Sequence, residues 1–429
     1  MINDTSRIVF FVIKSRHQRV GVIFINGMIV HSQLTEAEVK EQMTAIGVDP
    51  RGIEIMTGKF EHFVVRIFDV QPRQAGIIKQ EMLARGGEAA VSWQVSTMDK
   101  NAGINSLLLS GTLRQLEQLI VKLKMQPFGL AQLAEKLALA IAQYRSHPSQ
   151  TWEVGGKAYD LTTKTLVMGI INLTPDSFSK DGLAGRNSII DAALRQGEQM
   201  IADGADFLDI GAESTRPGAE RVDEAEEERR LLPVVRELAA VFNVPISVDT
   251  YKPSVAAQAL NMGAAIINDI WGLQSPSDPE HRMAQLVAET KAPVIVMHNQ
   301  AQPGYTHLWR EVIDSLDQSI ALAESFGASR SQIVVDPGVG FAKTYQDNLV
   351  ILQQLDQLKV LGCPILLGTS RKSVVGLTLD LPVAERMEGS LATVIWGAAK
   401  GANIVRVHDV KATVRAVKMF DAIRNSSSI

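Results

Sequence analysis

The sequence predicts an α/β protein in which a (β/α)8 TIM barrel follows a smaller α/β or α+β domain. The chain has 429 residues, which is too long for one ordinary domain but fits a barrel of ~250 residues plus a second unit. From residue 166 onward, eight short apolar runs alternate with helical stretches. The runs are apolar throughout, as is typical of parallel strands buried on both faces. An open doubly wound sheet is the competing fold.

The eight predicted strands begin roughly 30–40 residues apart, which is the length of a strand, a crossover helix and two loops. Because no antiparallel strand interrupts them, the pattern favours a closed barrel. The strands are expected at Leu166–Ile171, Phe207–Ile210, Pro245–Val248, Ala265–Ile270, Pro293–Met297, Ile333–Val335, Pro364–Leu367 and Ile404–Val407. Apolar positions at helical spacing predict helices at Ile189–Ala202, Glu224–Val241, Pro253–Met262, Leu308–Phe326 and Met387–Lys400.

Residues 1–150 form a separate predicted domain of about five short strands and four helices, followed by the barrel over residues 151–429. Ser146–Gln150 has the composition of a linker. Trp152–Leu161, with two central glycines, is expected to be a hairpin that closes the bottom of the barrel. In the first domain, strands are expected at Ile8–Val12, Val20–Ile25, Phe63–Phe68 and Leu107–Leu109, and helices at Glu36–Ile46, Gln74–Leu83, Thr112–Leu123 and Leu130–Tyr144.

Composition excludes several classes of function. Hydrophobic residues make up 46% of the chain and charged residues 21%, so the chain can bury a core. The 43 basic and 47 acidic residues leave a net charge of −4, which does not suit a nucleic-acid-binding surface or a polybasic membrane anchor. The only cysteine, Cys363, rules out an intramolecular disulfide framework. With no long apolar segment, we expect a cytoplasmic protein that binds neither nucleic acid nor membrane.

Polar side chains follow every predicted barrel strand. Active sites of such barrels lie at the carboxyl ends of the strands. Each of these residues alone could be a turn or a helix cap, but together they would converge on one mouth. In strand order, these positions carry Asn172, Gly211–Gly218, Asp249, Asn268, His298, Asp336, Gly368–Ser373 and Arg406–Asp409.

The predicted strand ends at Asp249 and Asp336 place carboxylates in apolar surroundings, where an isolated charge is costly unless it is paired or functional. Such carboxylates can accept the N–H pair of a pterin or guanine ring. Asn268 offers a donor and an acceptor to the same kind of ring edge. Helix capping is the alternative role for each aspartate.

Basic residues at the last two strands indicate an anion site. The Gly368–Ser373 loop enters a helix, whose free N–H groups suit a phosphate or carboxylate, although Lys372 could also be an ordinary solvated charge. Arg406 and His408 share one face of the last strand, and the planar guanidinium suits a phosphate. Asn172 is an oxygen ligand suited to Mg²⁺ beside a diphosphate. No histidine spacing typical of zinc is present.

Positions 152–420 strongly resemble the dihydropteroate synthase family. The first two of the segments that carry the resemblance are long and specific. The segments are Met168–Ser179, Asp209–Gly218, Ser247–Thr250, Ile267–Ile270, Asp336–Phe341, Thr369–Ser373 and Arg406–Asp409. The resemblance implies that 4-aminobenzoate condenses with (7,8-dihydropterin-6-yl)methyl diphosphate to give 7,8-dihydropteroate and diphosphate. It also implies Mg²⁺ and a homodimer, for which the apolar final helix, Val410–Ile423, could supply an interface.

The resemblance also implies a role for each matching residue. The pterin would be held by polar residues and enclosed by apolar ones, namely Asp249, Asn268, Asp336 and Lys372 with Ile270, Met297 and Phe341. Arg406 and His408 would bind the diphosphate, and Asn172 would do so through Mg²⁺. Thr215, Arg216 and the loop of Phe178 and Ser179 would close over the substrates, and Ser373 would meet the carboxylate of 4-aminobenzoate. The residues expected to act in catalysis are Asp249, Asp336, Lys372, Arg406 and His408.

Two positions depart from the family pattern. Lys180 precedes Asp181, so the acidic residue of the first loop has moved by one position, and Ala212 replaces a usual glycine. Two other functions remain open: a methyltetrahydrofolate:corrinoid methyltransferase, and a degenerate barrel that binds pterin without catalysis. For residues 1–150, a structural or oligomer-stabilising role is favoured over a second catalytic activity, because no nucleotide-binding loop is present.

Overall fold

The computed structural model describes residues 36–97, 99, 103–145, 151–173, 186–213 and 222–426, with residues 186–188 described in backbone only. The chain divides into two compact units, Met1–Ala138 and Leu139–Ile429. The domain boundary expected at residue 150 stays a prediction. The predicted strands at Ile8–Val12 and Val20–Ile25 and the predicted linker lie outside the described residues.

The first unit contains a three-stranded antiparallel sheet in the order β1-β3-β2. Its strands are β1 (His62–Val70), β2 (Glu88–Ala90) and β3 (Asn105–Thr112). Its helices are α1 (Glu36–Ala45), α2 (Pro50–Thr57), α3 (Pro72–Leu83), α4 (Trp93–Ser96) and α5 (Leu113–Leu123), and α6 (Leu130–Arg145) continues past the end of the unit. The small α/β domain is confirmed. The sequence did not predict β2, α2 or α4, because each is short, with 3, 8 and 4 residues respectively.

The second unit is the predicted barrel. All eight strands are parallel and adjacent in the order β11-β10-β9-β8-β7-β6-β13-β12. A parallel bridge from Val335 to Ile365 joins the two ends of this order and closes the barrel. The strands are β6 (Leu166–Asn172), β7 (Phe207–Gly211), β8 (Ile246–Asp249), β9 (Ile266–Asp269), β10 (Val294–Met297), β11 (Ile333–Asp336), β12 (Leu366–Leu367) and β13 (Ile404–Val407).

Helices follow the barrel strands in the order that a right-handed β–α repeat requires. They are α7 (Arg186–Ala202), α8 (Glu224–Val241), α9 (Pro253–Asn261), α10 (Arg282–Thr290), α11 (Leu308–Ser325), α12 (Tyr345–Gln353), α13 (Ser373–Leu379), α14 (Met387–Ala399) and α15 (Val410–Arg424). Short 3₁₀ segments lie at Arg330–Gln332, Leu355–Leu361 and Val383–Glu385. Among the described residues, no helix is both long enough and apolar enough to cross a membrane.

A hairpin closes the amino-terminal end of the barrel, as predicted. Its strands are β4 (Thr151–Val154) and β5 (Lys157–Asp160), joined by two glycines with positive φ. Trp152 is fully buried and contacts the Phe207 ring edge-on, with ring centroids 5.4 Å apart. The bottom of the barrel is therefore filled by side chains, which leaves the opposite end for a site.

Candidate active site

The carboxyl ends of the barrel strands bring most of the predicted polar residues to one mouth. Parallel register places Asp249 beside Asn268 and Met297 beside Asp336. Asp249, Met297 and Asp336 each stand at the last position of a short buried strand, and Asn268 stands one position before the end of its strand. Because the strands are staggered around a closed barrel, these residues face a common space rather than a row on an open sheet.

Arg406 on β13 holds two carboxylates together. Its Nε donates to Oδ2 of Asp209 at 2.6 Å, and its Nη2 donates to Oδ2 of Asp249 at 2.7 Å. Asp209 is fully buried, and the Arg406 side chain is 18% exposed. Asn268 completes the group by donating its amide to Asp209 at 3.3 Å. Two carboxylates share one guanidinium, so the cluster carries an excess of negative charge when both are ionised.

A second group forms around Lys372 and Asp336. The Lys372 ammonium lies 4.9 Å from the centre of the Phe341 ring and donates to the carbonyl of Val339. Asp336 accepts from the backbone N–H of Gly338 at 2.7 Å. A Cβ built on Gly368 would lie 3.8 Å from both Lys372 Nζ and Arg406 Cβ, and 3.9 Å from Asp336 Oδ2. The absent side chain of Gly368 therefore leaves an open space between the two groups.

Burial shifts the protonation equilibria of these groups towards their neutral forms. It raises the pKa of Asp249 and outweighs the opposing charge of Arg406. It also raises the pKa of Asp336, against the charge of Lys372. Burial lowers the pKa of Lys372 to about 8, although Asp336 opposes this shift. Carboxylates in this environment gain more from an N–H donor than they would in water.

His408 lies beside Ser370 rather than beside the Arg406 cluster. The Ser370 hydroxyl is 3.1 Å from the His408 Nδ1 and accepts from the His408 backbone N–H at 3.1 Å. Arg371, whose φ is +59°, forms a two-point pair with Asp409 at 3.0 and 2.6 Å. The loops after β12 and β13 are therefore joined, and His408 is held at the mouth.

The other predicted site residues differ in how the structure places them. Ile270 and Met297 are buried at the ends of β9 and β10. Asn172 is half-buried at the end of β6, and Ser373 is exposed at the start of α13. Thr215, Arg216 and the loop of Phe178, Ser179 and Lys180 lie outside the described residues.

Comparison with known proteins decides the family. The pterin-binding enzyme family matches residues 168–408. A dihydropteroate synthase of Bacillus subtilis is 47% identical over 289 residues, which cover 67% of this chain and 99% of that protein. The chain belongs to the dihydropteroate synthases. Solved dihydropteroate synthases agree. The Clostridium difficile enzyme, solved in the presence of pteroic acid, is 43% identical with a TM-score of 0.59, and the match covers 62% of this chain and all of that one. The Xanthomonas albilineans enzyme, solved with 4-aminobenzoic acid, is 40% identical with a TM-score of 0.61, and the match covers 65% of this chain and all of that one.

The match to dihydropteroate synthases settles the choice among the three functions considered from the sequence. The chain is a transferase of this family, and neither the corrinoid methyltransferase nor the non-catalytic barrel is supported. A probable bifunctional folylpolyglutamate synthase/dihydropteroate synthase of Halobacterium salinarum is 38% identical over 402 residues, 91% of this chain and 46% of that protein. The barrel unit is too short for a match of this length, so the similarity reaches into the first unit of this synthase.

Sequence reasoning did not assign a role to Asp209 in this synthase. Asp209 lies inside β7 with an exposed fraction of 0% and pairs with Arg406. The signal was present, because a carboxylate within a buried apolar strand needs a partner, the same argument that selected Asp249 and Asp336. Ser370 was also not singled out, since a serine in a loop carries no comparable signal.

The replacement of glycine by Ala212 is accommodated in this synthase. Ala212 is fully buried directly after β7, and it is not among the residues with a left-handed backbone. An added methyl group at this position therefore causes no backbone strain.

The described residues fit Mg²⁺ that arrives with a substrate better than a resident ion. Within them, no group of three or more histidine, cysteine or acidic side chains is arranged to hold a metal. Asn172, the residue predicted to ligate Mg²⁺, stands at the end of β6 and offers a side-chain oxygen at the mouth of the barrel. Mg²⁺ commonly keeps several waters and binds through substrate phosphates, so one protein oxygen beside a diphosphate suffices.

Proposed function

We propose that this synthase joins 4-aminobenzoate to (7,8-dihydropterin-6-yl)methyl diphosphate through the residues at the carboxyl end of its barrel. The observation that carries the proposal is the convergence of Asp249, Asp336, Lys372 and Arg406 around the space beside Gly368. Relatives of known structure were crystallised with pteroic acid and with 4-aminobenzoic acid, which supports small-molecule substrates of these two kinds.

The pterin ring would occupy the space beside Gly368. Asp336 and Asp249 would accept N–H groups from the ring, and Asn268 would supply both a donor and an acceptor. Lys372 would donate to a ring oxygen or nitrogen, because its ammonium already faces that space. Ile270, Met297 and Phe341 would exclude water from the faces of the ring, which strengthens each of these hydrogen bonds.

The diphosphate would lie near the end of β13. Nε and Nη2 of Arg406 bind the two aspartates, and Nη1, which makes no hydrogen bond within the described residues, would bind a phosphate oxygen. His408, whose Nδ1 lies 3.1 Å from the Ser370 hydroxyl, would also bind the diphosphate. Mg²⁺ bound to the diphosphate would neutralise its developing charge, and Asn172 would ligate it.

The reaction needs no nucleophile from the enzyme. The C–O bond to diphosphate breaks, the amine nitrogen of 4-aminobenzoate forms the new C–N bond to the pterin methylene, and the amine loses one proton. Positive charge that develops at the methylene spreads into the ring, where Asp336 and Asp249 stabilise it. Thr215, Arg216 and Ser373 would hold the 4-aminobenzoate, with its carboxylate towards Ser373.

Replacement of Asp336 by Asn tests this assignment. We expect kcat/KM to fall by about 100-fold or more, because the neutral amide removes charge stabilisation from the transition state. Asp314→Asn on α11 is the matched control, since Asp314 is 57% exposed and pairs with Arg310 on the same helix. Turnover that is unchanged in Asp336→Asn would show that this carboxylate does not act in the reaction.

We also propose that the enzyme is a cytoplasmic homodimer. Met419 and Ile423, four residues apart on α15, are each 61% exposed, so they form an apolar strip on one face of the helix. Light scattering tests the dimer: the mass should correspond to two chains, and Met419→Lys with Ile423→Lys should halve it. Cys363 is buried and free, in accord with a reducing compartment.

A further inference from the structure

A buried lysine that the proposed mechanism does not use lies directly behind the pterin site. Lys343 is 9% exposed and stands in the loop between β11 and α12. Its ammonium nitrogen is 2.9 Å from Nδ1 of His298, and it donates to the carbonyls of Gly338 at 3.1 Å and Phe341 at 3.2 Å. Lys343 thus joins both parts of its own loop to the residue that follows β10.

The loop that Lys343 binds is strained and tightly placed. Gly338, Gly340 and Ala342 all have positive φ, a conformation that is unfavourable for a residue with a side chain such as Ala342. A Cβ on Gly338 would lie 2.1 Å from the carbonyl oxygen of His298. A segment with this backbone keeps its shape only when surrounding contacts hold it. The three bonds of Lys343 are contacts of that kind.

The same loop sets the geometry of three groups assigned to the pterin. The N–H of Gly338 bonds Asp336, the carbonyl of Val339 accepts from Lys372, and the Phe341 ring lies against the Lys372 ammonium. A shift of the loop therefore moves the carboxylate, the lysine and the ring together.

We propose that Lys343 is a positioning residue of the pterin site, which fixes the loop of Asp336 and Phe341 through His298 and thereby sets the affinity for the pterin substrate. The proposal rests on the pterin assignment made above. It gives Lys343 no contact with either substrate.

The charge states of the pair agree with this role. Burial, together with the charge of Lys343, lowers the pKa of His298 to about 3. The imidazole is therefore neutral at pH 7 and can accept a hydrogen bond at Nδ1. Burial lowers the pKa of Lys343 to about 7, while Asp336 opposes this shift. Lys343 keeps N–H donors in either protonation state.

The test compares Lys343→Met in the full-length enzyme with the matched control Lys359→Met. Methionine fills a similar volume but removes the donor. Lys359 is half-buried, and it lies in the Leu355–Leu361 segment that precedes β12, at the opposite end of the barrel. We expect Lys343→Met to raise the KM and the calorimetric Kd for (7,8-dihydropterin-6-yl)methyl diphosphate about tenfold or more. The KM for 4-aminobenzoate should change by less than about twofold, and Lys359→Met should change neither.

This split between the two KM values separates positioning from stability alone. Loss of folded protein lowers the apparent kcat and leaves both KM values unchanged, and that result would overturn the proposal. If Lys343→Met does not fold, Tyr305→Phe removes one hydroxyl bond, 3.0 Å long, to Ala342 in the same loop. It should raise the pterin KM less strongly, and an unchanged KM would again contradict the proposal. Failure of the wild-type enzyme to bind the pterin diphosphate would instead refute the proposed function.

Discussion

At the scale of single residues, the site depends on the ion pairs of Arg406 with Asp209 and Asp249 as much as on the groups assigned to bind substrate. One guanidinium binds Asp209 and Asp249 at 2.6 and 2.7 Å. Asp209 is the more deeply buried of the two, so it provides the fixed counter-charge. Among the described residues, Oδ1 of Asp249 makes no hydrogen bond and remains available for a ring N–H. The pair thus holds Asp249 in place without using all of its acceptor capacity.

Asp209→Asn should weaken both folding and pterin binding. The amide cannot balance the charge of Arg406, and breaking a buried ion pair costs about 3 kcal/mol in unfolding free energy. Arg406 would then turn towards Asp249, and the pterin KM should rise. Asp206→Asn, at the other end of the same strand, removes a carboxylate that pairs with Lys164. Denaturant unfolding measures the loss of stability in each variant. Steady-state kinetics should show a raised pterin KM in Asp209→Asn only. Equal KM values in the two variants would contradict the role of Asp209.

Gly368→Ala should impair binding without loss of stability. The new Cβ would make ordinary contacts of 3.8–3.9 Å with its neighbours, and Gly368 does not need a left-handed backbone. Stability should therefore change by less than about 1 kcal/mol. The methyl group would fill the space assigned to the ring, so the pterin KM should rise. Gly76→Ala in α3, where a Cβ meets nothing within 4 Å, is the control. An unchanged KM in Gly368→Ala would place the pterin elsewhere.

At the scale of secondary-structure elements, the sequence predicted the eight barrel strands because each is a continuous apolar run that ends in polar residues. The hairpin before β6 was predictable from its two glycines. The contacts of Arg406 with Asp209 and Asp249 were not predictable, since β13 is far from β7 and β8 in the chain and comes close to them only because the last barrel strand pairs with β6, the first. The diphosphate-binding role of Arg406 stays a prediction, and the structure adds that two carboxylates pair with its guanidinium.

A lysine also ties the two ends of the loop after β7. Lys252 donates to Glu213 and to the carbonyl of Val222, each at 2.7 Å, and also binds the buried Glu227. Residues 214–221 between those ends lie outside the described part of the chain, and they include the predicted ligands of 4-aminobenzoate.

Lys252→Met should therefore raise the KM for 4-aminobenzoate several-fold, because the loop ends lose their common anchor. Calorimetry should find that the affinity for the pterin diphosphate falls as well, because Thr215 and Arg216 of this loop are expected to close over both substrates. Lys157→Met is the control, because Lys157 bonds Asn243 at the bottom of the barrel. A rise in pterin Kd without a change for 4-aminobenzoate would contradict this assignment of the loop.

At the scale of the whole molecule, the barrel supplies the site and the first unit is an addition to it. The Bacillus subtilis relative is matched over 99% of its length by 67% of this chain. The sequence could not assign a role to the first unit, because its three-stranded sheet and helices carry no motif of known chemistry. The homodimer that the resemblance implies stays a prediction, since one chain shows only its exposed apolar residues.

The buried carboxylates make the stability of the ligand-free enzyme depend on pH. Burial raises the pKa of Asp249 to about 7, against about 4 in an unfolded chain. Asp249 binds its proton more tightly in the folded enzyme than in the unfolded chain. The stability that this proton contributes is therefore complete below pH ~4 and is lost as the pH rises through ~7. The unfolding free energy of the wild-type enzyme, relative to that of Asp249→Asn, should therefore decrease as the pH rises from about 4 to about 7. A difference that is constant from pH 4.5 to 7.5 would show that Asp249 is ionised throughout.

The most direct measurement is diphosphate release by the full-length enzyme given (7,8-dihydropterin-6-yl)methyl diphosphate, with and without 4-aminobenzoate and Mg²⁺. The site predicts release that requires Mg²⁺, increases with 4-aminobenzoate and yields 7,8-dihydropteroate in equal amount. Tight binding of the pterin diphosphate without release would contradict the account. In that case the barrel would bind pterin without transferring it, and Lys180 in the first loop would be the first residue to replace.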